Sequence, residues 1–371
     1  MRSYPKITIL GMMSGTSMDG VDCIISKIKI NDNYKITFEI IEQKTIPIPN
    51  ELRNKIELAV ENPHLDYHFL CDEIGKFYCS SAMQLNNTKN LNIISIHGQT
   101  IFHEEKVKSI QIGNPYFLSK QFNIPVIHQF RIKDINAGGT GAPLMPFLDW
   151  LLLKNSNQLD FTLNIGGISN ITVVSKNGSK NEVIGFDTGP GMALIDEYCN
   201  QIWGEPFDNN AKFSKNGKII YELLDYLMSH PFIQMEFPKS TGRDIFGKNF
   251  ILEIIKLFNQ EKPKNILRTF VAFTAKSISI NLNKVRNFIL SECRLFISGG
   301  GIHHPLLIKD LKDYTQIKHI YHSDILGIDP DYKEAFLMAV LGYTHFVNLT
   351  NNMPSVTGAK KNVVLGEKYN P

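Results

Sequence analysis

The sequence predicts a two-lobed α/β fold made from one duplicated unit, and three observations carry that prediction. Two glycine-rich turns each sit between strand-like runs, at Gly11–Asp22 and at Gly166-Gly167. Each is followed by the same series of strand, turn, strand and helix. A long glycine-dense stretch without hydrophobic period, residues 130–144, separates the two series. Two lobes with a glycine turn at the head of each suggest an inter-lobe cleft that closes on one ligand.

The first strand is the apolar run Lys6–Leu10. It is too short, and too soon followed by Asp19 and Asp22, to read as a secretion signal. Cys23–Ile28 returns antiparallel, and the turn residues Asn31-Asp32-Asn33 lead into a third strand over 35–48. Helical spacing follows from Pro49 (Leu52, Ile56, Ala59) and again over 65–85. A strand at 92–96, a polar loop at His97-Gly98-Gln99-Thr100, a helix ending near Phe122 and a strand at Pro125–Ile127 complete the first unit.

The second unit opens with Phe161–Ile165 and its Gly166-Gly167 turn. Strands at 170–175 and 182–186 run through Asp187-Thr188-Gly189-Pro190-Gly191 into a helix over Met192–Trp203. Helices are predicted at 215–228, 249–257 and 269–288, then a strand at 294–298, the run Gly299-Gly300-Gly301 and a helix at 305–311. A helix at 330–346 and a turn-rich segment at 352–366 follow. Domain boundaries are set at 1–130 plus 347–371 for the N-terminal lobe and 131–346 for the C-terminal lobe.

Composition narrows the function. With 371 residues, 43% hydrophobic and 20% charged, the chain can bury two cores. A net charge of +3 with interleaved signs gives no nucleic-acid footprint. No run is long enough to span a membrane. Five cysteines without C-x-x-C spacing read as buried thiols of a reducing, cytoplasmic setting. There is no G-x-x-x-x-G-K-[ST] P-loop, no third glycine for a dinucleotide fingerprint after Gly189-Pro190-Gly191, and no G-x-S-x-G elbow.

Several residues remain as candidates. Gly15, Thr16, Ser17 and Gly20 leave backbone N–H groups open to phosphate oxygens. Asp187, at a strand end ahead of a helix, is either a helix cap or a general base. Asp19 and Asp22 are either turn residues or water-mediated ligands of Mg²⁺ on nucleotide phosphates. Arg131 suits a bidentate carboxylate or a surface ion pair. Glu334, three residues after Asp331, is spaced as a capping box. His97, His103, His128, His303 and His304 lack metal-ligand spacing.

Taken together, these stretches resemble the anhydro-N-acetylmuramic acid kinase family. The matching runs are Met13–Asp22, His97–Thr100, Gln111–Pro115, Phe130-Arg131 with Asp134, Gly138–Leu144, Asn164–Asn170, Phe186–Gly191, Ser298–Gly301, Lys333–Phe336 and Pro354–Ala359. The resemblance implies the actin-like sugar kinase fold, a duplicated ribonuclease H-like architecture. It implies ATP and Mg²⁺ as cofactors, and 1,6-anhydro-N-acetylmuramic acid as the substrate opened and phosphorylated in murein recycling. It implies a homodimer, with neither nucleic acid nor membrane as partner.

Residue by residue, it assigns Asp187 as the base, and Gly15, Thr16, Ser17, Met18, Asp19, Gly20, Val21 and Asp22 to the ATP-phosphate hairpin. Gly166, Gly167, Gly299, Gly300 and Gly301 fall near the nucleotide, and Arg131, Asp134, Gly139, Gly141 and Glu334 near the sugar. Two positions depart from the family pattern: Met192 stands where Asn is usual, and Thr140 where Gln is usual. Each replacement removes an amide. A kinase for a different sugar, or a nucleotide-binding homologue with weakened catalysis, are the other readings compatible with these changes.

Overall fold

The computed structural model describes residues 4–15, 18–242, 245–285 and 293–371. In chain order, β1 (Ile7–Ser14), β2 (Gly20–Ile30) and β3 (Ile36–Pro47) are followed by α1 (Asn50–Glu61) and α2 (His68–Ala82). Next come β4 (Ile93–Ile96), β5 (Gln99–Glu104), β6 (Lys108–Ile112), α3 (Tyr116–Phe122), β7 (Val126–His128), α4 (Ile132–Asn136) and α5 (Met145–Leu153). The second series is β8 (Asp160–Ile165), β9 (Ile168–Val174), β10 (Ile184–Pro190), α6 (Ala193–Trp203), α7 (Tyr221–Met228), α8 (Pro231–Gln234), α9 (Lys248–Leu257) and α10 (Pro263–Lys284). It continues with β11 (Arg294–Ser298), α11 (Pro305–Thr315) and β12 (His319–His322), and the chain then adds α12 (Lys333–Phe346), α13 (Pro354–Thr357) and β13 (Glu367–Tyr369).

The chain forms two compact units, residues 1–152 with 331–371, and residues 153–330. In the first unit the sheet order is β13-β7-β4-β1-β2-β3, and in the second β10-β9-β8-β11-β12. Strand directions match between them. β1 pairs antiparallel with β2, β2 antiparallel with β3, and β4 and β7 extend the other side in parallel. β8, β9, β10, β11 and β12 repeat that pattern. The duplication read from the sequence is therefore a duplication of topology.

β1 is buried along nearly its whole length, as a central strand covered on both faces must be. β3 alternates between half-buried and exposed residues, as suits an edge. α12 is apolar around almost its full circumference and lies across β1, β2 and β4. Gly11 allows this packing, since a Cβ there would run into the Ala335 carbonyl oxygen and the Ala339 nitrogen. Gly342 does the same against Ser95, whose hydroxyl donates to the Met338 carbonyl at 2.6 Å.

These contacts correct the boundaries read from the sequence. Residues 131–152 and 331–346 belong to the first unit. α12 is bound to the first sheet, and α5 packs Phe147 and Trp150 against Tyr34. Lys333 and Asp149 join the two helices through a buried ion pair at 2.7 Å.

Other differences are local. The segment after His97-Gly98 is a β-hairpin, β5–β6, where a polar loop is expected. β12 and β13 are short and carry no apolar run to announce them. The helix expected at 215–228 begins only at Tyr221, and that expected at 269–288 runs over Pro263–Lys284, with 286–288 outside the described residues. Cys23, Cys199 and Cys293 are buried thiols as expected, but Cys71 and Cys79 on α2 are half-buried.

Candidate active site

In the first unit the glycine hairpin joins β1 to β2. Thr16 and Ser17 lie outside the described residues. Met18 takes a left-handed φ of 56° and its N–H closes the turn on the Gly15 carbonyl at 3.2 Å. The turn is anchored from beneath by polar groups that are themselves buried. The Ser14 hydroxyl bonds the Tyr78 hydroxyl and donates to Gln99 Oε1, both at 2.7 Å, while Gln99 Nε2 donates to the Gly15 carbonyl at 3.4 Å. The Arg53 Nε–H donates to the Met18 carbonyl at 3.0 Å and reaches the exposed Asp19 carboxylate through its Nη2 at 3.4 Å. Gly20 has no room for a Cβ against Thr45 and Ile46, and Val21 is buried in the sheet.

Asp22 accepts from the Thr45 hydroxyl at 2.6 Å. Burial pushes its carboxyl up, the Thr45 hydrogen bond opposes this, and the charges of Asp331 and Asp19 push it further. Burial also raises Glu334, with Asp22 adding to the rise and Arg131 and Lys333 opposing it. Glu334 is crowded by surrounding protein but still open to solvent at the start of α12, whereas its neighbours Lys333 and Ala335 are buried. Crowded carboxylates of this kind favour a cation nearby. Among the described residues no three His, Cys, Asp or Glu side chains are grouped to hold a metal directly. The carboxylate oxygens of Asp19 and Asp22 are hard donors of the kind that suits Mg²⁺.

Arg131 immediately precedes α4. Its Nε–H donates to His97 Nε2 at 3.1 Å and its Nη1 to the Gly141 carbonyl at 3.4 Å. Burial lowers the guanidinium to about 10, against the pull of Glu334. His97 is buried, and its Nδ1 lies 2.9 Å from the Gly98 carbonyl, which can only accept. The ring is therefore the neutral Nδ1–H tautomer. Burial, and then the Arg131 charge, bring its pKa down to about 3.

A stability consequence follows for the first unit. The unfolded chain takes up this proton near the ordinary histidine value, well above the folded value, so stability falls as pH drops below about 6.5. Relative to a His97→Gln protein, the unfolding free energy of the wild type is expected to fall by about 2 kcal/mol between pH 6.5 and 5. Urea unfolding at both pH values measures this, and an unchanged difference would show that His97 titrates as an ordinary histidine.

The sugar-side candidates divide into groups with different roles. Asp134 is buried, and both of its oxygens are used. Oδ1 accepts from Asn352 Nδ2 at 3.1 Å and Thr357 Oγ1 at 3.0 Å, and Oδ2 accepts from the Gly141 N–H at 2.9 Å. Its work in this structure is to tie the glycine loop to the 352–357 segment. Gly139 lies against the Asp134 carboxylate with no space for a side chain, and Gly141 takes a φ of 76°. Thr140 is bound to the same segment, its N–H donating to the Thr357 carbonyl at 2.9 Å and its hydroxyl to the Ala142 carbonyl at 2.6 Å.

In the second unit Asp187 sits in β10 at a bulge, where the register against β9 shifts between Asp187 and Gly189. Bulges re-aim a side chain out of the ladder. Oδ2 accepts from the Ser240 hydroxyl at 3.0 Å and the Thr241 N–H at 2.9 Å, and the Asp187 N–H donates to the Lys239 carbonyl at 3.1 Å. Lys239 fixes that loop from below. Its buried ammonium donates to the Phe232 carbonyl at 2.9 Å and lies 4.6 Å from the centre of the Phe232 ring. Burial, then Lys284, lower it to about 8, with Glu236 and Asp187 opposing. Lys239, Ser240 and Thr241 carry no motif that would have marked them in the sequence.

Asp187 is not the cap of α6. The N–H groups of Gly191, Met192 and Ala193 are taken by the Gly166 and Gly167 carbonyls at 2.7–3.1 Å. Gly166 and Gly167 thus couple the end of β8 to the start of α6, and Gly191 leaves space for them. The Met192 side chain joins the hydrophobic core of the unit. In the last glycine run, Gly299 takes a φ of 83° against Asn164 and Ile165, and Gly301 is packed on Ile165. Gly300 alone of the three has open space around its Cα. His304 is structural, capping α11 through the Leu307 N–H and bonding Asp208 at 3.2 Å.

Two sheets of one strand order and direction in a single chain define the class, a duplicated ribonuclease H-like α/β protein. The chain belongs to the anhydro-N-acetylmuramic acid kinase family, whose model matches residues 7–371. An anhydro-N-acetylmuramic acid kinase of Bacillus thuringiensis subsp. konkukian (strain 97-27) is 35% identical over 378 residues, covering 96% of this chain and 98% of that protein. One from Bacillus anthracis is also 35% identical, with the same coverage. Among solved structures, the activator of the 2-hydroxyisocaproyl-CoA dehydratase from Clostridium difficile has a TM-score of 0.45 at 10% identity, covering 92% of this chain and 96% of that one.

Proposed function

We propose that this chain is an ATP-dependent kinase that opens the 1,6-anhydro ring of 1,6-anhydro-N-acetylmuramic acid with water and phosphorylates O6. The products are N-acetylmuramic acid 6-phosphate and ADP, in the recycling of murein in the cytoplasm. The observation that carries this reading is the Asp187 carboxylate, set on a strand bulge and braced by Ser240 and Thr241 within a chain of this family.

In the reaction Asp187 accepts a proton from water as its oxygen attacks C1. The bond from C1 to the bridging oxygen breaks, and O6 attacks the γ-phosphorus as the bond to ADP breaks. The proton then passes from Asp187 to solvent. Two hydrogen bonds on Oδ2 hold the carboxylate in one orientation, which is most of what a positioned base needs. The hairpin at Gly15–Asp22 offers small residues and a braced turn to the phosphates, and Gly300 offers open backbone. Mg²⁺ on the nucleotide would neutralise phosphate charge, with Asp22 facing it through water. Arg131 supplies a fixed positive charge for the sugar's carboxylate.

ADP release, with ATP, Mg²⁺ and either the anhydro sugar or intact N-acetylmuramic acid, tests the proposal. Turnover with the anhydro sugar alone is the expected result. Equal turnover of both would mean that phosphorylation does not depend on ring opening, and none with either would remove the assignment.

A further inference from the structure

Arg131 owes its orientation to a partner of unusual kind. Arg131 is half-buried, and an arginine so placed is ordinarily held by a carboxylate, yet its Nε–H here is held by an imidazole nitrogen and one Nη by a carbonyl oxygen. Glu334 acts on it electrostatically without forming an ion pair within 4 Å. Of its five N–H groups, three have no acceptor among the described residues.

The choice of partner has a chemical consequence. A carboxylate at the position of His97 would orient the guanidinium equally well but would cancel its charge before any ligand arrived. A neutral imidazole orients it and leaves the charge intact. The imidazole is kept neutral by its burial and by Arg131 itself. Its other nitrogen is committed to the Gly98 carbonyl, so the lone pair on Nε2 is the only face it can present. His97 is in turn fixed through its own N–H, which donates to the Met12 carbonyl at 3.1 Å near the end of β1.

We propose that His97 is a positioning residue that turns Arg131 edge-on, so that the outer Nη fork of the guanidinium meets the carboxylate of the sugar. This rests on the kinase reading above. The anhydro sugar without its lactyl ether, 1,6-anhydro-N-acetylglucosamine, lacks the group to be read and serves as the comparison substrate.

His97→Leu removes the acceptor, whereas His97→Gln can return an oxygen to nearly the same place. His97→Leu is expected to raise KM for the muramic sugar roughly 10–100-fold, the loss of one charge-assisted hydrogen bond, with a much smaller change in kcat. The comparison sugar should show little change, and His97→Gln should recover most of the loss. In an Arg131→Ala background, His97→Leu should add almost nothing, because its effect passes through the guanidinium. Effects that multiply independently in the double variant, or an equal loss with both sugars, would overturn the proposal.

A readout independent of activity guards against a folding defect and against failure of the kinase assignment. In ¹⁵N-histidine spectra of the wild type, His97 should appear as a neutral ring protonated on Nδ1 at pH 5. Arg131→Ala should shift the Nε2 resonance toward that of an unbonded nitrogen. A ring protonated on Nε2 would exclude the pairing whatever the turnover. The correct tautomer without turnover of any sugar would keep the pairing and discard the kinase reading.

Discussion

Asp187→Asn is expected to lower kcat on the order of 10³-fold while leaving nucleotide affinity and thermal stability near those of the wild type. The geometry makes this a clean substitution. The amide keeps an oxygen that can accept from Ser240 and from the Thr241 N–H, so the 239–241 loop stays in place. The negative charge goes, and with it the capacity to take a proton from water. No side chain caps α6, and the N–H groups of Gly191, Met192 and Ala193 at its entrance are taken by Gly166 and Gly167, so no helix cap is lost either. Single-turnover ADP formation, titration with a non-hydrolysable ATP analogue and a melting curve together decide the matter. A protein that loses fold and turnover together would assign Asp187 a structural role.

Gly11→Ala is the second large effect, and it acts on the fold before the chemistry. The added Cβ points at the Ala335 carbonyl oxygen and the Ala339 nitrogen, which are backbone atoms of α12 and cannot rotate aside as a side chain would. The helix must move off β1, opening contacts along a buried face, at a cost of about 3 kcal/mol. Urea unfolding should show the loss in the transition of the first unit and not in that of the second. Because Glu334 and Lys333 are carried at the start of α12, sugar affinity should fall in the same variant. Wild-type stability in both transitions would mean that α12 is less tightly seated than the structure has it.

The sequence carries those parts of the protein whose signals are local. Strand alternation, the hairpin at Gly15–Asp22 and the strand that carries Asp187 are all written within a dozen residues. The duplicated topology is visible because each copy repeats the same succession of elements. Other parts depend on residues far apart in the chain. Asp134 looks like a ligand-facing carboxylate until Asn352 and Thr357, more than 200 residues on, are seen to occupy it. The pairing of His97 with Arg131 has no motif, since it depends on where β4 ends relative to the turn before α4. The domain boundaries are misplaced for a related reason. An apolar helix such as α5 or α12 declares that it is buried, but not against which sheet. Lys239, whose ammonium holds the Asp187 loop, reads as one more surface lysine.

The first unit is assembled from two stretches of chain with the whole of the second unit between them. During synthesis the intervening unit is complete while its neighbour still lacks α12 and β13. The central strand β1 must wait for the whole of the second unit before its covering helix exists. The same delay applies to the glycine loop, whose Asp134 anchor closes only on Asn352 and Thr357. The first unit is therefore finished after the second, and the loop beside Arg131 has no anchor until residues 352–357 have been made.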